Sequence, residues 1–265
     1  MLRDNTLRIR FDEVADLYDR ARPSYPEVAF DTLLRQASLP TGGSVLEVGC
    51  GTGQATLPLA RRGVRILALE LGKDLAEVAA ERLRDYPDVT VEHTAFEEWQ
   101  PTKEAFDLFL SAQAFHWIEP STGLARASTV LKPGGTLALI WNLERSQESA
   151  FYHATNPIYQ RYEDSMPQGP SLDDWVCIYR EALERHHRFH RVTLQRYDWQ
   201  QTYEKQQYLD LLTTFSSTLA LDCDTRTRFL TDMATVIDSF GGTVPRCYST
   251  ALLLAKRSNP PHNRS

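Results

Sequence analysis

A glycine turn follows the first strongly apolar run of the chain and is flanked by two carboxylates. The residues VLEV at positions 45–48 lead into GCGTG at positions 49–53. Glycine adopts backbone angles closed to other residues and lets a ligand approach the backbone. Glu47 stands two residues before the first glycine. Glu70 ends the next apolar run about 20 residues on, where a carboxylate can accept hydrogen bonds from ribose hydroxyls. The pattern predicts a site for a ligand that carries a nucleoside.

Two classes of ligand use such a turn, and Glu47 distinguishes them. A dinucleotide places its pyrophosphate against a G-x-G-x-x-G motif, but the sixth position here is Gln54 instead of glycine. A carboxylate at position 47 repels a pyrophosphate and attracts the ammonium group of S-adenosylmethionine (SAM). The residues therefore favour SAM. An NAD(P)-dependent Rossmann oxidoreductase and a glycine turn that binds nothing stay open as alternatives.

Strand and helix patterns alternate along the first half of the chain. This alternation predicts an α/β protein with a parallel sheet, helices on both faces and ligands at the carboxyl ends of the strands. The predicted strands are 44–48, 65–70, 89–94, 106–110 and 136–142, and the predicted helices are 54–61, 73–83 and about 121–130. A Lys-Pro-Gly-Gly turn at 132–135 leads into the fifth strand.

The second half of the chain has a different pattern. Residues 143–187 carry aromatic and charged side chains without a clear strand, which predicts a mostly helical cap insertion. The patterns after it predict a strand at 189–197, helices at 204–215 and 225–240 with Asp224 as N-cap, and a long strand at 244–256 that pairs with the previous one. The predicted division is a lid and core at 1–142, the cap at 143–187, the remaining sheet at 188–257 and a disordered tail at 258–265.

Composition restricts the classes of function. The 265-residue chain is 42% hydrophobic and has a net charge of −6, which disfavours nucleic acid and anionic membrane surfaces as partners. No apolar run is long enough to span a membrane, and the charged start MLRDNTLRIR does not resemble a secretory signal. Scattered cysteines without a CxxC pair predict reduced thiols in a cytoplasmic protein. The HHRFH stretch at 186–190 lacks the glutamate of HExxH, so no metal site is predicted.

Several stretches resemble motifs of the class I SAM-dependent methyltransferases. They are LEVGCGTG, LALELGKD, FDLFLSAQAFHWIEP and LKPGGTLALIWN, and the N-terminal FDEVADLYDRARPSYP resembles the segment that folds over the cofactor. Within these enzymes the chain is similar to the methyltransferase type 11 family and its trans-aconitate-methyltransferase-like subgroup. The resemblance covers about residues 10–142. It implies a Rossmann-like sheet, mostly parallel with the last strand antiparallel, and SAM as cofactor.

The resemblance also implies the residues that bind the cofactor. Glu47 would hold the methionyl end together with the glycine turn, and Glu70 would hold the ribose. The acid that contacts adenine in the family aligns with Ala95, so Phe96 is expected to receive the adenine instead, with Glu97 as a substitute acid. The expected cofactor residues are Tyr18, Glu47, Gly49, Cys50, Gly51, Thr52, Gly53, Glu70, Leu71, Ala95, Phe96, Ser111, Ala112 and Gln113.

Candidate residues for the methyl acceptor follow the fourth and fifth predicted strands and the N-terminal segment. His116 could act as a general base or could simply orient its loop, and Trp117 could wall the pocket or belong to the core. Arg22 and Tyr25 would face the acceptor from the lid, and Arg145 directly follows the fifth strand. We expect a small-molecule acceptor, methylated on oxygen and by first preference on a carboxylate. A SAM-binding protein without transfer activity is the other interpretation.

Overall fold

The fold is built on a seven-stranded sheet in the order β3-β2-β1-β4-β5-β7-β6. A computed structural model describes residues 5–39, 41–101 and 103–259 of the chain. Strands β1 to β5 are parallel, and β7 is antiparallel to both of its neighbours, β5 and β6. The strands are β1 (Ser44–Val48), β2 (Arg65–Glu70), β3 (Val89–His93), β4 (Phe106–Ala112), β5 (Leu131–Glu144), β6 (Phe189–Glu204) and β7 (Thr243–Arg257). The predicted α/β class and its mostly parallel sheet are confirmed.

Eleven helices surround the sheet in the described part of the chain. They are α1 (Asn5–Ile9), α2 (Ala15–Ala21), α3 (Glu27–Ala37), α4 (Thr56–Ala60), α5 (Lys73–Leu83), α6 (Pro120–Val130), α7 (Ala150–Tyr162), α8 (Leu172–Arg185), α9 (Lys205–Thr213), α10 (Ser216–Ala220) and α11 (Cys223–Ser239). Short 3-10 turns lie at Asp12–Val14, Phe115–Trp117 and Glu163–Ser165. No helix among these residues is long and apolar enough to cross a lipid bilayer.

The sheet is apolar on both faces because alternate strand residues point to opposite sides. On β5, Trp141 belongs to a core cluster shared with α6 and α8, whereas its neighbour Ile140 belongs to a second cluster shared with α3, α4 and α5. All these side chains are almost fully buried. The two clusters fix the sheet between two layers of helices and hold the carboxyl ends of β1, β2 and β4 at one edge.

A third apolar cluster lies beside the C-terminal end of β6 and the N-terminal end of β7. It joins α7, α9 and α11 through buried side chains such as Phe151, Leu211 and Phe229. Of the two helices in segment 143–187, α7 belongs to this cluster, and α8 packs on the sheet through Trp175 and Tyr179. The helices that cover this part of the sheet thus come from segments both before and after β6 in the sequence.

Some predicted element boundaries differ from the structure. Helix α11 begins at Cys223 because Asp222, not Asp224, caps it by accepting the Thr225 N–H at 2.9 Å. Strand β6 runs on to Glu204, well past the predicted end at Tyr197. The predicted tail at 258–265 lies outside the described residues from position 260 onward, and the Ser258 N–H donates to the Arg188 carbonyl at 2.8 Å.

Candidate functional site

A cavity of about 330 Å³ opens at the carboxyl ends of β1, β2 and β4. This volume lies in the range of small-molecule sites, roughly 300–1,000 Å³. The predicted residues that line it are Tyr18, Arg22, Tyr25, Glu47, Gly49, Cys50, Gly51, Glu70, Leu71, Phe96, Ala112, Gln113, His116 and Trp117. The structure therefore brings most of the predicted site residues together around one space.

The glycine turn has no room for a side chain at Gly49, and positive φ angles disfavour one at Gly51. Gly49 has φ +71°, and a Cβ atom there would lie 2.4 Å from the Cβ of Ala114. Gly51 has φ +57° and packs beneath the ring of Tyr18. The N–H groups of Gly49 and Cys50 both donate to the carbonyl of Leu69. These contacts draw the turn tightly onto the end of β2 and expose backbone to the cavity.

Glu47 is a buried carboxylate without a partner. Its residue exposure is 0%, and neither carboxylate oxygen has a hydrogen-bond partner among the residues that the structure describes. The pKa of Glu47 is raised to about 8, because burial and the negative charge of Glu70 outweigh the lowering effect of the nearby Thr56 hydroxyl. Burial without a partner disfavours the ionised carboxylate, so Glu47 holds a proton near neutral pH. A positive group beside it would favour the ionised form.

Glu70 lies at the end of β2 and organises the turns around it. Its carboxylate accepts the Gly51 N–H at 2.8 Å and the Gly72 N–H at 3.0 Å. Burial raises the pKa of Glu70, while these backbone hydrogen bonds act in the opposite direction and favour the ionised form. Each carboxylate oxygen has a second lone pair, so hydroxyl donors can be added without breaking either bond.

The expected adenine end of the cavity combines an aromatic ring with an ion pair. Phe96 is buried, lines the cavity and packs edge-to-face on Phe109. Glu97, the expected substitute acid, is held by Arg8 through contacts of 2.6 and 3.3 Å. Arg8 itself lines the cavity and was missed by the sequence reasoning because it precedes every recognised motif. Ala95 does not line the cavity, and its carbonyl accepts the N–H groups of Glu98 and Trp99.

The N-terminal segment closes over the glycine turn. Phe11 packs edge-to-face on both Tyr18 and Trp117, at centroid distances of 6.0 and 5.8 Å. Asp12 accepts the Leu75 N–H at 2.9 Å in the first turn of α5. The segment is thereby anchored to the sheet domain on one side and to the loop after β4 on the other.

Arg22 joins the lid to the helices above the sheet edge. Its guanidinium donates to the hydroxyl of Thr214 at 2.8 Å and to the carbonyl of the same residue at 2.6 Å. It also stacks between Tyr18 and Phe215, at 5.0 and 4.8 Å from their ring centroids. Arg22 therefore lines the cavity as predicted while part of its hydrogen-bonding capacity connects two segments of the wall.

His116 lies in a 3-10 turn just after β4, buried at the cavity wall. The indole N–H of Trp141 donates to its Nδ1 at 3.3 Å. An indole nitrogen only donates, and a neutral imidazole has one acceptor nitrogen, so this contact places the ring hydrogen on Nε2. A ring in this state is a hydrogen-bond donor whose lone pair is already engaged. The general-base role stays a prediction, and the geometry favours a donor instead.

Other predicted residues lie outside the cavity for identifiable reasons. Thr52 is fully buried beneath the turn, where its hydroxyl accepts from Gln54 at 2.6 Å, and Gly53 packs on Leu83. Ser111 is buried and donates to the Val48 carbonyl at 2.7 Å. Arg145 forms a two-point ion pair with Asp173, both contacts at 2.7 Å, on the other side of β5. The structure thus gives these residues contacts that support the walls.

The family models and known proteins place this architecture in a family. The model described as "Methyltransferase domain" matches residues 45–135, which span the glycine turn through β4 and α6 to the start of β5. An uncharacterised methyltransferase of Mycobacterium tuberculosis is 30% identical over 179 residues, which is 67% of this chain and 70% of the relative. The chain belongs to the methyltransferase family.

Solved structures agree with the fold of this methyltransferase. A protein of Anaeromyxobacter dehalogenans described as a type II methyltransferase has a TM-score of 0.65 at 21% identity, covering 90% of this chain and 99% of its own. A phosphoethanolamine N-methyltransferase of Haemonchus contortus, in complex with phosphomonomethylethanolamine and S-adenosylhomocysteine, has a TM-score of 0.54 at 14% identity. The likeness covers 94% of this chain and 58% of the nematode protein.

The methyltransferase has a second wall that sequence reasoning missed. It combines the end of β5 with β7, α9, α10 and the residues between these two helices. Its lining residues are Asn142, Glu144, Leu211, Phe215, Ser216, Ser217, Arg246 and Tyr248. Asn142 and Glu144 could have been predicted together, since alternate residues of β5 share a face. No sequence pattern indicated the residues from β7, α9 and α10.

Proposed function

We propose that this methyltransferase transfers a methyl group from SAM to a small-molecule acceptor. The observation that carries the proposal is the buried, unpartnered carboxylate of Glu47 beside a turn in which Gly49 has no space for a side chain. The ammonium of the methionyl group supplies the cation that Glu47 lacks, and a pyrophosphate would be repelled there. The chemistry of the residues therefore fits SAM and argues against a dinucleotide.

Each part of the cofactor has a candidate partner on this wall. Glu47 would hold the ammonium and Glu70 the ribose hydroxyls, while Phe96 would contact the adenine. When bound, SAM supplies a methyl group activated on a sulfonium. Tyr18 and Phe11 cover the turn from the lid, which excludes water from the charged contacts and strengthens them. The nematode neighbour, whose structure contains S-adenosylhomocysteine, supports this use of the fold.

We further propose that the acceptor atom is an oxygen, by first preference a carboxylate. A carboxylate is already ionised near neutral pH, so its methylation requires alignment more than a base. His116 lies buried at the cavity wall just after β4, where it can orient such an oxygen. The resemblance to the trans-aconitate subgroup supports the same choice.

Calorimetric titration tests the cofactor. We expect S-adenosylhomocysteine to bind saturably, and NAD(H) and NADP(H) not to bind. Glu47→Ala and Glu70→Ala should each weaken binding by about ten- to hundredfold, the usual effect of losing a hydrogen bond to a charged group. Glu77→Ala is the matched control, because this glutamate is 67% exposed on α5 and pairs with Lys73 alone in the structure described. A preference for a nicotinamide nucleotide would overturn the proposal.

A second assay separates an enzyme from a silent SAM-binding protein. Protein, SAM and a panel of small carboxylic acids and alcohols are incubated, and S-adenosylhomocysteine formation is measured. Acceptor-dependent product supports transfer. Binding of S-adenosylhomocysteine without turnover on any acceptor would instead favour the silent protein.

A further inference from the structure

The side chain of Arg246 lies at the second wall of the cavity and has N–H donors without acceptors in the described residues. The residue is 8% exposed, and its Nη2 donates to Glu144 at 2.9 Å. Its Nε and Nη1 have no hydrogen-bond partner among the described residues. An unsatisfied buried donor of this kind costs about 1–3 kcal/mol. A guanidinium held in that condition at a cavity wall is suited to an anion.

Aromatic rings hold this guanidinium in place. Tyr208, Phe215 and Tyr248 surround it, with ring centroids 5.7, 5.3 and 5.4 Å from its central carbon. Such stacking fixes the position of the positive charge but leaves the N–H hydrogens without acceptors. The cage therefore orients Arg246 without satisfying it.

The local charge balance also favours an added anion. Arg22 contacts the same Phe215 ring, so two guanidinium groups flank it, at 4.8 and 5.3 Å. Glu144 is the carboxylate paired with Arg246, and its other oxygen accepts the Ser146 N–H at 3.0 Å. One negative charge thus stands beside two positive ones. Glu47 and Glu70 line the same cavity from β1 and β2.

This positive group is remote from the end of β4, where the reacting atoms are expected. The last register pair between β4 and β5 is Ala112 with Ile140, and Glu144 lies four residues further along β5. At about 3.3 Å per residue, that is roughly 13 Å beyond the end of β4. A second cavity, of about 200 Å³, begins at this point, and Glu144 and Arg246 line both cavities.

We propose that Arg246 binds an anionic group at the non-reacting end of an elongated methyl acceptor. The acceptor would place its nucleophilic atom near His116 and its distal carboxylate, or another oxoanion, at Arg246. This inference rests on the proposed function, because it assigns a specificity determinant to the same site. It makes Arg246 a positioning and binding residue for the acceptor, with no part in holding the cofactor.

The experiment uses matched acceptors that differ in the charge of one end. The probes are 4-hydroxybenzoate, 4-hydroxycinnamate and 8-hydroxyoctanoate, each beside its own amide, titrated into protein saturated with S-adenosylhomocysteine. We expect at least one carboxylate to bind about tenfold or more tightly than its amide. Arg246→Gln should remove this preference, and Arg246→Lys should retain part of it. Comparing 4-hydroxybenzoate with 4-hydroxybenzenesulfonate and 4-hydroxyphenylphosphonate shows which oxoanion is preferred.

The control variant is Arg145→Gln, which removes a nearby guanidinium that does not line the cavity. It should leave the preference unchanged. Each variant is first titrated with S-adenosylhomocysteine, and unaltered affinity shows that it is folded with the cofactor wall intact. Equal binding of carboxylate and amide, no binding of any probe at millimolar concentration, or a preference that survives in Arg246→Gln overturns the inference alone. Failure of the wild type to bind S-adenosylhomocysteine overturns the proposed function with it.

Discussion

Glu47 predicts that cofactor binding depends on pH. In the unliganded protein its pKa is raised to about 8 from the ordinary value of 4.5, mainly by burial. An ammonium placed beside the carboxylate favours its ionised form and lowers the pKa again. Below pH 8, binding of S-adenosylhomocysteine must therefore displace a proton from Glu47, and the apparent affinity falls as the pH falls.

The size of the effect follows from the shift. When the bound state restores the ordinary pKa, the dissociation constant rises about tenfold for each pH unit below 8, or roughly fiftyfold between pH 8 and pH 6. That factor corresponds to about 2.3 kcal/mol. The whole difference between a pKa of about 8 and 4.5 corresponds to about 5 kcal/mol, which is the most that the ammonium has to offset.

Calorimetry in buffers of different ionisation enthalpy measures both the affinity and the protons released. We expect close to one proton released at pH 6.5, and about half a proton at pH 8. Tyr18, Tyr25 and Cys50 stay neutral over this range because burial raises their pKa values. Glu47→Gln should bind weakly with little pH dependence. If the full dependence survives in that variant, another group at the cavity titrates, and the reasoning from Glu47 is refuted.

Three further predictions follow from single contacts. Without ligand, Glu47 is protonated in the folded state and ionised in the unfolded state between pH 4.5 and 8, so its contribution to the free energy of unfolding falls by about 1.4 kcal/mol per unit as pH rises through that window. Urea unfolding of Glu47→Gln should show a flatter profile, and an unchanged slope contradicts the assignment. Gly49→Ala should lower the free energy of unfolding in urea by about 2–4 kcal/mol, because the added Cβ lies 2.4 Å from the Cβ of Ala114. Gly42→Ala, the control, has a similar φ of +74° and nothing within 4 Å of the added Cβ, so it should lower the same free energy by about 1 kcal/mol. Equal losses would show that the close approach is unimportant. His116→Asn should keep kcat/KM within about tenfold and His116→Ala should lose more, whereas a general base would lose about 10²–10⁴ in both.

The cavity wall at the glycine turn could be predicted because it depends on local sequence. The turn at 49–53 follows directly on β1, and the ends of parallel neighbours meet at one edge whatever the details of the helices. Within the motif, tight packing decides which residues line the cavity, and the sequence pattern does not show this. Thr52 and Gly53 belong to the motif but face the protein interior, since the turn winds too tightly for every residue to meet a ligand.

Element boundaries were predicted wrongly where strand pairing, and not the local sequence pattern, decides the structure. Residues 132–135 were predicted as a turn, and they lie within β5. Its pairing with β4 passes from Leu131 to Thr136 while β4 advances only from Phe106 to Leu108, so the intervening residues bulge out of the ladder. Strand β6 continues through polar residues to Glu204 because each of them pairs with β7, which the sequence of β6 itself does not reveal.

The second wall of the cavity shows why strand register was needed. Arg145 was selected because it directly follows the predicted fifth strand, yet Asn142 and Glu144 share one face of β5 and consecutive residues face opposite sides. That alternation sends Arg145 toward Asp173 on α8. Antiparallel pairing then sets Glu144 opposite Tyr248, and Arg246, two residues away on β7, occupies the same face. The alternation of side chains along a strand could have selected Glu144 instead of Arg145 from the sequence alone. Arg246 can be selected only once the pairing of β5 with β7 is known.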